Sequence, residues 1–382
     1  MRAWWLVASL FVAAPAAAEV PYSVAPGVFD PSKPGDLGLL PAPGAETITI
    51  FEPGEATDRF SNGVVLMPFK GRLYAQWQSS LKDEDSPDTW VAWSVSDDGK
   101  RWSAPKALVP SGPGPKMHSS GGWWTDGETL VAYINVWPTG FQSGDGGYTE
   151  YMTSRDGVVW SDRKRVMGAD GKPVEGIIEQ DPHAIGDGRT VTAFHVRPGM
   201  IVAPFYTDDL LAVSGWRRGR MVNLPHDGKV SRELEPSLFM RGRCVVMVFR
   251  DQAESFRQLA SESCDRGETW TTPVLTNMPD ARAKQSAGNL PDGTAYFATA
   301  VGVDKVRIPL AVTLSDDGRV FDRSYRLRGK DDLQPLRYPG QYKRPGYSYP
   351  KSVIWSDWLY VAYATNKEDV ELTRVPLREL AK

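Results

Sequence analysis

The chain has 382 residues, with 44 Lys and Arg against 47 Asp and Glu, a formal net charge of −3. So even a balance argues against nucleic acid or an anionic membrane surface as a partner. Its 14 Trp, 14 Tyr, 13 Phe, 36 Gly and 30 Pro describe short strands, aromatic packing and frequent turns. No stretch sustains a 3.6-residue apolar period, so an all-β architecture is expected.

Residues 1–18 hold Arg2, an apolar run from Ala3 to Ala14 and the triplet Ala16-Ala17-Ala18 before Glu19. This is the pattern of a signal peptide cleaved after Ala18, because the apolar stretch is too short to span a bilayer. No later segment carries an apolar run of membrane-spanning length, so a soluble protein of the periplasm, the outer surface or the medium is expected. Residues 19–45 read as an irregular Pro-rich segment, and 46–382 as a single domain that opens with the strand Glu46-Thr-Ile-Thr-Ile-Phe51.

From there the chain repeats itself in two registers. One is a short strand ending in a turn: Asn62–Gly71, His118–Gly127, Glu179–Gly188, Glu233–Gly242, Lys284–Gly293 and Tyr349–Trp358. An apolar strand follows each copy, as in Leu73-Tyr-Ala-Gln-Trp77. The other is the turn Ser96-Asp-Asp-Gly-Lys-Arg-Trp102, which recurs at Ser154–Trp160 and Ser315–Phe321 and in full as Ser263-Cys-Asp-Arg-Gly-Glu-Thr-Trp270. A degenerate copy spans Asp209–Trp216. In this turn Asp and Ser oxygens accept backbone N–H bonds, Gly takes a positive φ, and the aromatic ring plugs the gap between sheets, so its role is structural.

Six copies predict a six-bladed β-propeller with four antiparallel strands per blade. Glu46–Phe51 supplies the outer strand of the last blade and closes the ring, which removes exposed sheet edges. Seven blades are the alternative if the segment from Val20 to Pro43 holds further strands. Cys244 and Cys264 fall on neighbouring strands that fold about Glu254, so a cross-strand disulfide is reasonable in an oxidising compartment, with two buried free thiols as the alternative. No His-Cys ligand spacing accompanies them, and neither a metal nor a cofactor is expected.

Innermost strands of a propeller begin at one mouth of the central channel, so the first residues of each copy should converge. They are Asn62, His118, Glu179 or Asp181, Glu233 or Glu235, Lys284, and Tyr347 or Tyr349, all polar. The loop from Leu336 to Gly346 adds Arg337, Lys343 and Arg344 among Tyr338 and Tyr342. Cations and aromatic faces together suit an acidic sugar.

The Asp-box turns and several mouth residues resemble those of the sialidase superfamily, over roughly Asp58 to Leu377. The resemblance implies a tyrosine nucleophile at Tyr349 or Tyr347 and a Glu that takes its proton at Glu235 or Glu233. It implies an acid/base at Asp88 in the loop Asp83-Glu-Asp-Ser-Pro-Asp88, and substrate-carboxylate arginines at Arg250 and Arg307. A neutral phenol attacks a carbon bearing a carboxylate with less repulsion than an anion would. Guanidinium forks bind that carboxylate bidentately. The chain departs from the family at the first inner strand, where Ser61-Asn62-Gly63 stands in place of Arg-Ile-Pro. An acidic sugar is therefore expected in a broader sense than sialic acid.

The scaffold is also similar to propeller polysaccharide lyases and rhamnosidases that act on uronic-acid glycans, in which His118, Tyr206 and Arg220 would serve. The leading expectation is a monomeric, exported glycoside hydrolase acting on an acidic oligosaccharide or polysaccharide. A β-eliminating lyase with His118 at its centre is the first alternative, and a non-catalytic glycan-binding propeller the second.

Overall fold

The structure, a computed structural model, describes residues 19–180 and 182–381. The segment read as a signal peptide and Asp181 lie outside the described residues. The domain is a ring of six antiparallel sheets, each blade packing on the next and the last on the first. From the channel outward, blade 1 runs Phe60–Phe69, Arg72–Ser80, Trp90–Ser96 and Lys106–Val109. Blade 2 runs Met117–Thr125, Leu130–Trp137, Tyr148–Ser154 and Lys164–Arg165. Blade 3 has an inner strand broken into Gly176–Ile178 and His183–Ala184, followed by Thr190–Val196, Ile201–Thr207 and Arg217–Arg218. Blade 4 is Glu233–Arg241, Cys244–Asp251, Arg257–Ser263 and Val274–Pro279, and blade 5 is Ser286–Asn289, Ala295–Ala300, Leu310–Ser315 and Arg323–Arg328. In blade 6, Tyr347–Trp355, Trp358–Thr365 and Asp369–Pro376 are completed by Glu46–Phe51, as the sequence predicts.

The seven-bladed alternative is not realised. The segment from Val20 to Pro43 gives only Ser23–Val24, a two-residue strand parallel to Val320–Phe321, and a bridge from Pro41 to Arg326. It straps the outside of the ring, where Tyr22 is buried against Phe239, Phe297 and Phe321.

Middle strands such as Leu130–Trp137 and Leu310–Ser315 are buried along their whole length, because neighbouring blades cover both faces. That is why they read as apolar runs rather than alternations. The repeated turns behave alike. Asp98 Oδ1 accepts the N–H groups of Lys100 and Arg101, and Ser96 Oγ that of Gly99. Asp156, Asp265 and Asp317 repeat the arrangement. The glycine is required by more than its φ of 69–70°. A Cβ on Gly157 would stand 2.0 Å from the Tyr74 hydroxyl of blade 1, and one on Gly99 2.6 Å from the Tyr360 hydroxyl of blade 6. Each turn thus docks on the preceding blade. In blade 4, Cys244 and Cys264 form the cross-strand disulfide.

Inner strands of blades 1, 2, 4 and 6 bulge near their starts, between Asn62 and Val65, Ser120 and Gly122, Leu234 and Ser237, and Ser348 and Lys351. Such a bulge re-aims a side chain at the cost of strained backbone. In blades 1 and 2 glycines, Gly63 and Gly122, take the positive φ; in blades 4 and 6 the residues there are Glu235 at φ 53° and Tyr349 at φ 54°.

Candidate active site at the channel mouth

The bulges open onto a cavity of about 270 Å³ lined by residues from several blades, among them Asn62, Glu179, Glu235, Arg250, Lys284 and Tyr349. Five of these come from the residues expected at the mouth, and Arg250 from those that the resemblance implies. Arg250 Nη1 bonds Glu235 Oε2 at 2.7 Å and lies 3.4 Å from the Tyr349 hydroxyl, while its Nη2 bonds Gln252. The guanidinium thus bridges the carboxylate and the phenol.

Burial alone would raise the Glu235 carboxyl, but Arg250 and then Lys284 hold it below its ordinary value. Burial raises the Tyr349 phenol, and the charge of Glu235 adds to that against Arg250. Three further cations face the Tyr349 ring: Arg307 at 4.9 Å, Lys284 at 5.4 Å and Lys367 at 5.8 Å from its centroid.

Glu179 and Lys284 meet at 3.0 Å, both almost fully buried. Against the effect of burial, Lys284 and His195 keep Glu179 well below the usual carboxylate range. His195 lines the cavity, with Nδ1 2.9 Å from Glu179 Oε1.

Several expected residues stand elsewhere. Tyr347 is buried in blade 6, donates to the Gly329 carbonyl and packs edge-on against Tyr363. Glu233 is buried and accepts the Leu224 N–H beneath a loop. The bulge separates each from its neighbour two residues on, which a regular period-2 strand would have placed on the same face. Asp88 closes the base of the acidic loop by accepting the Leu81 N–H at 2.6 Å, and it is Glu84 and Asp85 that line the cavity. His118 lies outside the cavity, with Nε2 3.0 Å from Arg163, and its pKa falls to about 4 through burial and the charges of Arg163 and Lys116. Arg307 sits behind the Tyr349 ring, bonded to Ser348 Oγ. Arg344 is exposed outside the cavity lining. In the basic loop Arg337 is held by Glu52, Glu368 and Asp369, and Lys343 by Glu368, so these cations secure the loop to blade 6.

The mouth also holds residues that the starts of the inner strands do not reveal. In an antiparallel hairpin the end of the second strand lies beside the start of the first, so Gln78, Trp137 and His195 reach the cavity as Arg250 does. Trp137, Phe141, Ile177 and Met200 form an apolar wall. Asn62, where the family's first arginine would stand, bonds Glu84 at 3.3 Å, and Lys367 bonds the other oxygen of Glu84 at 2.7 Å. The turn carrying Lys367 hydrogen-bonds Ser61, so it brings a cation close to that position from blade 6.

The sequence profile described as BNR repeat-like domain matches residues 71–361. No curated protein matches the chain in sequence. Among solved structures, one named sialidase superposes with a TM-score of 0.62 at 18% identity, over 93% of this chain and 34% of its own, so this chain spans about a third of that protein. A leech intramolecular trans-sialidase complexed with 2,7-anhydro-Neu5Ac gives 0.68 at 14% identity, over 88% of this chain and 71% of its own. The intramolecular trans-sialidase from Ruminococcus gnavus, in complex with oseltamivir carboxylate, gives 0.66 at 14% identity, over 87% of this chain and 98% of its own.

Proposed function

The chain belongs to the BNR repeat-like domain family, and from that premise we propose that it is an exported glycoside hydrolase that removes an acidic sugar from a glycan, with Tyr349 as nucleophile. The observation that carries the reading is the pair of bulges. Blades 4 and 6 each spend a strained, positive-φ position on a reactive side chain, Glu235 and Tyr349, and Arg250 lies between the two. The disulfide is consistent with export, since such bonds persist in oxidising compartments.

The chemistry follows from the contacts. A carboxylate on the sugar draws Arg250, which leaves Glu235 free to accept the phenolic proton. The Tyr349 oxygen then attacks the anomeric carbon as the glycosidic bond breaks, and the departing oxygen takes a proton from the acidic loop, at Asp85. That carboxylate next removes a proton from water, the hydroxide displaces the tyrosine oxygen, and Glu235 returns the proton to Tyr349. The apolar wall of Trp137, Ile177 and Met200 receives the uncharged face of the sugar.

The test is release of fluorophore from 4-methylumbelliferyl glycosides of sialic acid, glucuronic acid and galacturonic acid. Wild-type protein should turn over at least one of them, and Tyr349→Phe should lose that turnover while keeping its melting temperature. Binding of the sugars without any release would refute hydrolysis and leave a glycan-binding propeller.

A further inference from the structure

We infer that His195 and Glu179 are positioning residues for Glu235; the inference rests on the reading of Glu235 as the group that takes the Tyr349 proton. At φ 53° in a bulge, Glu235 withdraws its own N–H and C=O from the strand ladder. Side chains take up both. The N–H lies 3.3 Å from His195 Nε2, and the carbonyl accepts from Gln285 Nε2 at 3.0 Å.

An imidazole nitrogen that accepts carries no proton, so the neutral ring holds its hydrogen on Nδ1, and Nδ1 faces Glu179 Oε1 at 2.9 Å. Lys284 grips the other oxygen of Glu179 at 3.0 Å and bonds Gln180 Oε1 at 2.8 Å. The Gln180 amide nitrogen donates to the carbonyls of Gly63 and Ser120, each at 2.9 Å. One run of contacts therefore joins blades 1, 2, 3 and 5 to the backbone of the proton acceptor on blade 4. His195 is only 2% exposed, so in the folded protein the Glu235 N–H is satisfied by its imidazole rather than by bulk solvent.

Without His195 the buried N–H loses its partner, and the bulge relaxes toward ordinary extended backbone, carrying the carboxylate away from Tyr349. A misplacement of about 1 Å costs on the order of a hundredfold in rate.

The experiment compares His195→Leu, which has no acceptor, with His195→Gln, whose amide can both accept and donate, using the 4-methylumbelliferyl glycoside that the wild type cleaves. His195→Leu should lower kcat about 100-fold with KM within about threefold, and His195→Gln should recover kcat to within about tenfold of wild type. Equal kcat in the wild type and His195→Leu, or an equal loss in both variants, would overturn the inference. A second measurement needs no activity: long-range ¹H–¹⁵N correlation of the imidazoles of the full chain, with His195 assigned by its absence in His195→Gln. A neutral ring protonated on Nδ1 is expected, and a proton on Nε2 overturns the pairing whatever the enzyme does. A wild type that releases no sugar but shows the Nδ1–H ring sinks the hydrolase reading and leaves the hold on Glu235 standing.

Discussion

Replacing Lys284 by Met removes the cation 3.0 Å from Glu179 and leaves a carboxylate with 4% side-chain exposure to the His195 ring and the charge of Lys351. At 3.0 Å and an effective dielectric of about 20, the attraction lost is on the order of 5 kcal/mol. Breaking a buried pair from one side generally costs about 3–5 kcal/mol, because the remaining charge stays desolvated. Urea unfolding followed by tryptophan fluorescence should therefore show a large drop in midpoint with little change in slope. The loss should depend on pH with a defined sign. In the wild type Glu179 has a depressed pKa, so its contribution is present above the unfolded-state value of about 4.3 and disappears as pH falls through the folded value. In Lys284→Met burial acts with less opposition, so that variant's own penalty should be full at neutral pH and fade as the pH falls toward about 4.3, below which Glu179 is protonated in both its folded and unfolded states. Adding Glu179→Gln should restore most of the lost stability at pH 7. A Lys284→Met protein less than about 1 kcal/mol below wild type, or a double variant weaker than the single one, would refute the argument.

Other outcomes follow from the same contacts. Tyr347→Phe removes a buried hydroxyl that donates to the Gly329 carbonyl, so it should cost about 1 kcal/mol in urea unfolding and leave turnover unchanged, the reverse of Tyr349→Phe. Reduction of the Cys244–Cys264 bond, which closes a loop of 20 residues, should lower stability by about 3 kcal/mol in chemical unfolding, and the Cys244→Ser/Cys264→Ser pair should match it without added reductant. Burial raises the Asp280 carboxyl to about 7, above an unfolded-state value of about 3.9. Its contribution is present below that lower value and lost as pH climbs toward 7, so the wild type should lose stability relative to Asp280→Asn between about pH 4 and 7; parallel stability curves across that window would contradict the shift.

The ring was legible because the repeat is dictated by local chemistry. A turn in which Asp98 and Ser96 satisfy four successive residues, and in which Gly99 must lie against Tyr360, leaves the same letters wherever it recurs. Closure by Glu46–Phe51 was legible because the last copy lacks a fourth strand. The mouth was half legible. Counting from inner-strand starts finds Asn62, Glu179, Lys284 and the blades of the proposed acceptor and nucleophile, but it cannot choose between Glu233 and Glu235 or between Tyr347 and Tyr349. A bulge changes which face a residue takes, and period-2 reasoning has no term for it. The Pro that follows both Glu235 and Tyr349 marks those two positions. His195 and Glu84 escaped for another reason: they sit at the end of a second strand and in a loop, where only the hairpin geometry or the folded loop brings them to the channel.

The four cations around Tyr349 do not make it a phenolate at rest. Burial is the largest influence on its hydroxyl and Glu235 reinforces it, so the net effect keeps the proton on. Three of the cations are also engaged by carboxylates: Arg250 by Glu235, Lys284 by Glu179 and Lys367 by Glu84. Their positive charge therefore acts fully on the phenol only when an incoming anion or a proton transfer disturbs one of those pairs. In the proposed mechanism Arg250 is where this happens first, because among these four cations it is the one hydrogen-bonded to both the phenol and the carboxylate proposed to deprotonate it. Under the proposed mechanism, an acidic ligand that takes hold of Arg250 lifts the restraint on Glu235 at the same moment that it brings its own carbon to Tyr349, whereas a neutral sugar of the same shape leaves the Arg250–Glu235 bond intact and Tyr349 protonated.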